Sequence, residues 1–227
     1  MIRLLTDDKI KEFSDFCENR LTAAVIYTNL LTYGLSSDDS LFWYSEDEKE
    51  NINAVFSLSD GVFLASTDND SLRDEIELFS QIVGAQKVSY STAEYVMQYK
   101  DGEIHTAEDI TGENIKDTFD VVFENDAHRK AYFEKWYADI SHKIRHNLIH
   151  GKCIYEDGKC ISVAFTSGET DKIAVISAVA TLEKYRKQGN GERVVLSLAQ
   201  SVDKEIYLLS DNKKTAEWYE RIGFETI

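Results

Sequence analysis

The sequence predicts an α/β (α+β) fold, a mixed central sheet flanked by helices, in two tandem units. Three observations carry this. Stretches of helical period alternate with short β-branched and aromatic runs along the chain. The order helix, helix, strand, strand, strand, helix, strand, helix occurs twice, a repeat of architecture without evident sequence identity. In the second half, a strand passes through a basic, glycine-containing turn directly into a helix, as phosphate-binding α/β sites do.

Taken in order, Asp7 or Asp8 is placed to cap a helix carrying Ile10, Phe13, Phe16 and Cys17 on one face. A second apolar run, Thr22 to Leu35, ends at Gly34 and a Ser36-Ser37-Asp38-Asp39 turn. Strand patterns follow at Leu41–Tyr44, Ile52–Leu58 and Val62–Ser66, the last two joined by the hairpin signal Ser59-Asp60-Gly61. An amphipathic helix from Ser71 to Val83 has Gly84 as its C-cap, and a strand covers Lys87–Tyr90. Thr92–Tyr99 fits neither period cleanly. The polar stretch Asp101–Glu113 places a domain boundary there, giving residues 1–110 and 111–227.

In the second half, Ile115, Phe119, Val122 and Phe123 share a helical face, and Ala131–Asn147 forms a further helix. Strands are expected at Lys152–Glu156, Cys160–Thr166 and Ile173–Ala180, with Asp157-Gly158 turning the first hairpin. A helix from Asn190 to Val202, a strand at Ile206–Leu209 and a helix at Lys214–Ile222 complete the pattern.

Composition narrows the functional classes. A net charge of −16, from 41 acids and 25 basic residues, repels nucleic acid and anionic membranes and suits a cationic amine substrate. No apolar stretch approaches the ~20 residues of a membrane-spanning helix. The first residues are too short an apolar run for a secretory signal, so a cytoplasmic location is expected. Cys17, Cys153 and Cys160 are too few and too scattered for a disulfide framework or a zinc site. Cys153 and Cys160 are expected on neighbouring strands as small core residues. His142, His146 and His150 recur at helical spacing, but no carboxylate completes a ligand set, so no metal is expected. With no proline in the chain, its turns rely on Gly, Asn, Asp and Ser.

The sharpest local signal is Arg186-Lys187-Gln188-Gly189-Asn190-Gly191, between the strand ending at Thr181 and the helix carrying Val194, Val195 and Leu198. The first amides of a helix lack internal partners and point outward, and the helix dipole adds positive potential. Gly189 and Gly191 allow close backbone approach, and Arg186 and Lys187 add full charges. A Rossmann fingerprint is excluded, because Val194 occupies its third glycine position and few residues remain for further βαβ units. A P-loop is excluded because Gly151-Lys152 is followed by Cys153. Taken alone, the turn is equally a solvated helix start with incidental basic residues.

Its surroundings decide between these readings. Val179-Ala180-Thr181-Leu182-Glu183-Lys184-Tyr185 and the turn that follows resemble motif A of the GNAT N-acetyltransferase superfamily, with its core Arg/Gln-x-x-Gly-x-Gly/Ala. Asn212-Lys213-Lys214-Thr215-Ala216-Glu217-Trp218-Tyr219-Glu220-Arg221-Ile222-Gly223-Phe224 resembles motif B. The likeness is specific over about Lys152–Ile227 and vaguer over Ile115–Gly151. It implies an acetyl-CoA-dependent acyltransferase without a metal, acting on a small-molecule or peptide amine. The pantetheine arm would lie along the backbone of Val179, Ala180 and Thr181. The pyrophosphate would sit on the amides of Arg186, Lys187, Gln188, Gly189, Asn190, Gly191 and Glu192. Asn212 would contact the pantetheine, and Tyr219 would protonate the departing thiolate.

A backbone amide near Val179 is the expected oxyanion donor. An amine of pKa ~10.4 costs on the order of 4–5 kcal/mol to deprotonate at neutral pH, so a base is expected, with Glu169, Asp171, His142 and His146 as candidates. Leu182-Glu183-Lys184 stands where many relatives carry proline. Relatives usually continue into more strands after Gly-Phe, so part of the acceptor pocket is expected from the N-terminal half or from a second copy in a homodimer. In the first half, Thr67-Asp68-Asn69-Asp70-Ser71 takes the place of the phosphate turn with two acids and no glycine, so that half is expected to be a degenerate, non-binding repeat. Two alternatives stay open: a non-catalytic acyl-CoA-binding or sensing protein, and a different acyl donor such as succinyl-CoA.

Overall fold

The computed structural model describes residues 1–37, 40–90 and 93–227. Asp38 and Asp39 of the expected turn, and Thr92 of the ambiguous segment, lie outside the described residues. The chain divides into two compact units, Met1–Ala93 with Gly168–Ile173, and Glu94–Ser167 with Ala174–Ile227.

The first unit contains β1 (Ile2–Leu4), α1 (Ile10–Cys17), α2 (Leu21–Tyr33), β2 (Ser40–Glu46), β3 (Ile52–Ser59), β4 (Val62–Thr67), α3 (Arg73–Ile82) and β5 (Lys87–Ser89). Its sheet runs in the order β1-β2-β3-β4-β5, antiparallel until β5 joins β4 in parallel. Alternation in β2 sorts the core. Phe42 and Tyr44 pack with Phe13, Phe16 and Ile26 of the helical pair, while Trp43 packs with Phe56, Phe63 and Ile76 of α3 on the other face. Asp7 and Asp8 lie inside a 3₁₀ turn, Asp7–Lys9, that leads into α1. They therefore act on the helix dipole and do not occupy the cap position. The tip Gly168–Ile173 belongs to this unit through α2: the Thr28 hydroxyl donates to the Glu169 carbonyl (3.3 Å) and accepts from its amide (2.8 Å).

The second unit contains β6 (Tyr95–Tyr99), β7 (Glu108–Asp109), α4 (Ile115–Val122), α5 (Phe133–Arg145), β8 (Gly151–Glu156), β9 (Lys159–Glu169), β10 (Ile173–Thr181), α6 (Asn190–Ser201), β11 (Glu205–Ser210), α7 (Lys213–Arg221) and β12 (Phe224–Thr226). The sheet order is β12-β6-β11-β10-β9-β8-β7. Cys153 and Cys160 are buried on the paired strands β8 and β9.

Tyr95–Tyr99 settles as a strand, so the helix that would close the first repeat is not formed there. The reason is that β6 has two antiparallel partners, with Met97 opposite Leu208 of β11 and Thr226 of β12 and fully buried. The strand beside β11 thus comes from upstream in the chain. Gly223, between α7 and β12, has φ +102, and a Cβ there would fall 1.5 Å from the Asp101 carbonyl oxygen, so no other residue fits. Met97→Ala is expected to cost the second unit about 2–4 kcal/mol, read by denaturant unfolding through the fluorescence of Trp136 and Trp218.

Candidate functional site

The site begins where β10 breaks its regularity. Ala178 has φ +44, a conformation a non-glycine residue adopts at a cost of about 1–3 kcal/mol. Before it, Ile173–Ile176 are buried. After it, Val179, Ala180 and Thr181 are half-exposed. The chain then makes a 3₁₀ turn, Glu183–Tyr185, and passes through Lys187 (φ +61) and Gly189 (φ +81) into α6. The first bond of that helix runs from the Arg193 amide to the Gly189 carbonyl (3.0 Å), so the amides of Asn190, Gly191 and Glu192 belong to the turn a helix leaves without internal partners. Two side chains fix the turn from within: the Asn190 amide donates to the Tyr185 carbonyl and the Gln188 amide to the Lys184 carbonyl, each at 3.2 Å.

A cleft of about 470 Å³ opens here, lined by Val179–Thr181, Arg186, Lys187, Gly189, Gly191, Glu192 and the Trp218 ring. Gly189 needs glycine for its left-handed φ. Gly191 does not: an added Cβ would sit in ordinary contact with Thr181 Oγ1 (3.6 Å) and Trp218 Cζ2 (3.8 Å), that is, in the cleft. A second groove, of about 650 Å³, shares Val179–Thr181 and Arg186 and is closed by Val121–Ala127, including Glu124 and Asp126. The end of β10 is the wall common to both.

The expected residues divide accordingly. Gln188 and Asn190 shape the turn through their side chains and do not line the cleft. Asn212 caps α7, its Oδ1 accepting from the Lys214 (2.9 Å) and Thr215 (3.2 Å) amides. The Arg186 guanidinium is already engaged, donating from Nε to the Thr181 carbonyl (2.9 Å) and from Nη2 to Glu124 Oε2 (3.0 Å). Tyr219 is 8% exposed and packs against Trp218 (centroids 4.6 Å) and Phe224 (5.4 Å), so the aromatic on the cleft wall is its neighbour Trp218. Glu169 ends β9 and Asp171 lies in the turn before β10, both in the tip that belongs to the first unit. His142 lies on the last turn of α5 and His146 just past it, their rings tilted with centroids 4.3 Å apart. None of these four candidate bases lines the cleft or the groove.

Sequence reasoning missed Ala178, Trp218 and Glu124. Trp218 had a signal, as a large aromatic beside the buried stripe of α7. The other two had none, because a positive φ at alanine and a contact across 62 residues leave no local pattern.

A family model described as the acetyltransferase (GNAT) family matches residues 113–224. The C-terminal domain belongs to the GNAT family. That family uses acetyl-CoA. Among solved structures, a tandem GNAT protein from the clavulanic acid biosynthesis pathway is 11% identical with a TM-score of 0.64, over 100% of this chain and 95% of its own. A GCN5-related N-acetyltransferase from Sphaerobacter thermophilus is 12% identical with a TM-score of 0.59, over 100% and 92%. A Drosophila protein is 13% identical with a TM-score of 0.58, over 100% and 95%. These likenesses concern the fold, and they extend the GNAT-like architecture to the N-terminal unit. A search of the curated proteins finds no match. No helix among the described residues is long and apolar enough to cross a membrane.

Burial pushes the Tyr219 phenol from 10.0 up to about 12. The fold therefore favours its protonated form. The stability linked to this group is complete below pH 10 and is lost as pH rises through 12. The wild type is expected to lose about 2–3 kcal/mol more than Tyr219→Phe across that window, measured by denaturant unfolding at stepped pH.

Proposed function

We propose that this protein is an N-acetyltransferase that moves the acetyl group of acetyl-CoA to a primary amine of a small molecule or peptide. The observation that carries the reading is the cleft where the end of β10 past Ala178, the free amides opening α6 and the Trp218 ring meet. Acetyl-CoA supplies an activated thioester to such a site. Its diphosphate matches the amides from Lys187 to Glu192, with Lys187 adding charge. Its pantetheine amides match the half-exposed backbone of Val179–Thr181, taken as an added strand.

In this reading the amine enters from the groove that shares the end of β10, where Asp126 favours a cation. The amine sheds its ammonium proton to water in the groove and attacks the thioester carbonyl, forming the N–C bond while an amide near Val179 holds the oxyanion. The C–S bond then breaks, Tyr219 donates its proton to the departing thiolate, and the proton lost by the nitrogen returns through water to the phenol. A phenol held near pKa 12 stays protonated, and so able to donate, throughout the neutral range.

One observation favours a second reading, a non-catalytic acyl-CoA-binding protein: the low exposure of Tyr219 and its packing on Phe224 suit a core aromatic. Turnover separates the two. Wild type is expected to acetylate members of a primary-amine panel, with Tyr219→Phe lowering kcat about 10–100-fold at unchanged acetyl-CoA affinity. Binding without turnover on any amine supports the second reading, and an unchanged kcat removes Tyr219 from the chemistry.

Gly191→Ala tests the cleft itself. The added methyl group improves helix propensity by up to about 1 kcal/mol while intruding on the cleft. The variant is expected to melt no lower than wild type and to bind acetyl-CoA at least about tenfold more weakly by calorimetry, a loss of ~1.4 kcal/mol. Equal affinity in both proteins would place acetyl-CoA elsewhere.

A further inference from the structure

We propose that Glu124 is a positioning residue for the diphosphate turn, bracing it through Glu183 and Arg186. This rests on reading Lys187–Glu192 as the diphosphate cradle. Glu124 lies just past α4, 59 residues from Glu183 in sequence, and is half-buried. Its carboxylate accepts the Glu183 amide at 3.0 and 2.9 Å and Arg186 Nη2 at 3.0 Å. The Glu183 amide opens the 3₁₀ turn and, like any first helical amide, has no partner inside it. Arg186 closes the same turn and is tied from Nε to the Thr181 carbonyl. One carboxylate thus holds both ends of the segment that joins β10 to the cradle.

Charge explains why the brace matters. Arg186 reads from sequence as a phosphate ligand, yet its guanidinium is shared with Glu124, so it serves as a strut. The anion is left to Lys187 and the amides opening α6. The carboxylate of Glu124, which unpaired would repel a diphosphate, is compensated by the arginine it holds.

The N-terminal unit carries the same brace with its polarity reversed. Arg20, between α1 and α2, reaches Asp68, just past β4, from Nε at 3.0 Å and Nη2 at 2.6 Å, and its guanidinium lies 4.0 Å above the Phe16 ring. In both units a residue from the helix–helix connection ties down the turn after the third meander strand. In the first unit, however, the acid is on the turn. There the Thr67 hydroxyl accepts the Asn69 amide and Asn69 Oδ1 accepts the Ser71 amide, both at 3.0 Å, so side chains take two of the donors an anion would use. The topology calls for a brace, and its polarity sets the field at the turn.

The test is calorimetric titration of CoA, and of ADP as a diphosphate without the pantetheine arm, into wild type, Glu124→Ala, Glu124→Gln, Arg186→Ala and the Glu124→Ala/Arg186→Ala double variant. Glu124→Ala is expected to weaken both ligands about tenfold, the worth of one charge-assisted hydrogen bond. Because both residues act through one brace, the double variant should lose little more than Glu124→Ala alone. If Glu124→Ala fails to fold by circular dichroism, the isosteric Glu124→Gln carries the comparison, with an expected loss of about threefold. Wild-type affinity in the folded Glu124 variant, or losses that multiply in the double variant, overturns the proposal and leaves the cofactor reading intact. A wild type that binds neither ligand overturns both.

Discussion

The left-handed backbone at Ala178 is the constraint on which the C-terminal site depends. A strand inside a sheet spends its amides and carbonyls on its neighbours. A positive φ at one alanine leaves Val179–Thr181 half-exposed at the end of an otherwise buried strand. From there the chain has one short turn in which to present the N-terminus of α6. The cleft and the groove share that strand end, so one piece of backbone lines both.

A chain of net charge −16 that is read as binding a polyanion needs local positive potential. At the α6 turn it comes from oriented amides and Lys187, while the nearby carboxylate of Glu124 is held by Arg186. The N-terminal unit shows what the same architecture does without that arrangement. Its turn holds Asp68 and Asp70, and two of its amides are taken by Thr67 and Asn69. Both units share a fold, but the corresponding turn carries acids in the first and Lys187 in the second.

Much of this was legible in the sequence because the patterns are strong. Period-2 aromatic runs set β2 to β4, the Asp157-Gly158 and Asp60-Gly61 turns closed their hairpins, and Gly189 marked the start of α6. Tyr95–Tyr99 was not legible, because a strand with a partner on each side is defined by β11 and β12, distant in sequence. The charge of Arg186 was read without its partner, since Glu124 lies 62 residues away. Tyr219 stood out as a helix aromatic, whereas it is Trp218, packed on Tyr219, that lines the cleft.

Amide hydrogen exchange on the full chain, with and without acetyl-CoA, tests the central claim most directly. Slowed exchange at Val179–Thr181 and Lys187–Glu192, with Thr67–Leu72 unchanged, is the predicted result. Unchanged exchange at both C-terminal segments under saturating acetyl-CoA, or protection at Thr67–Leu72 in their place, would contradict it.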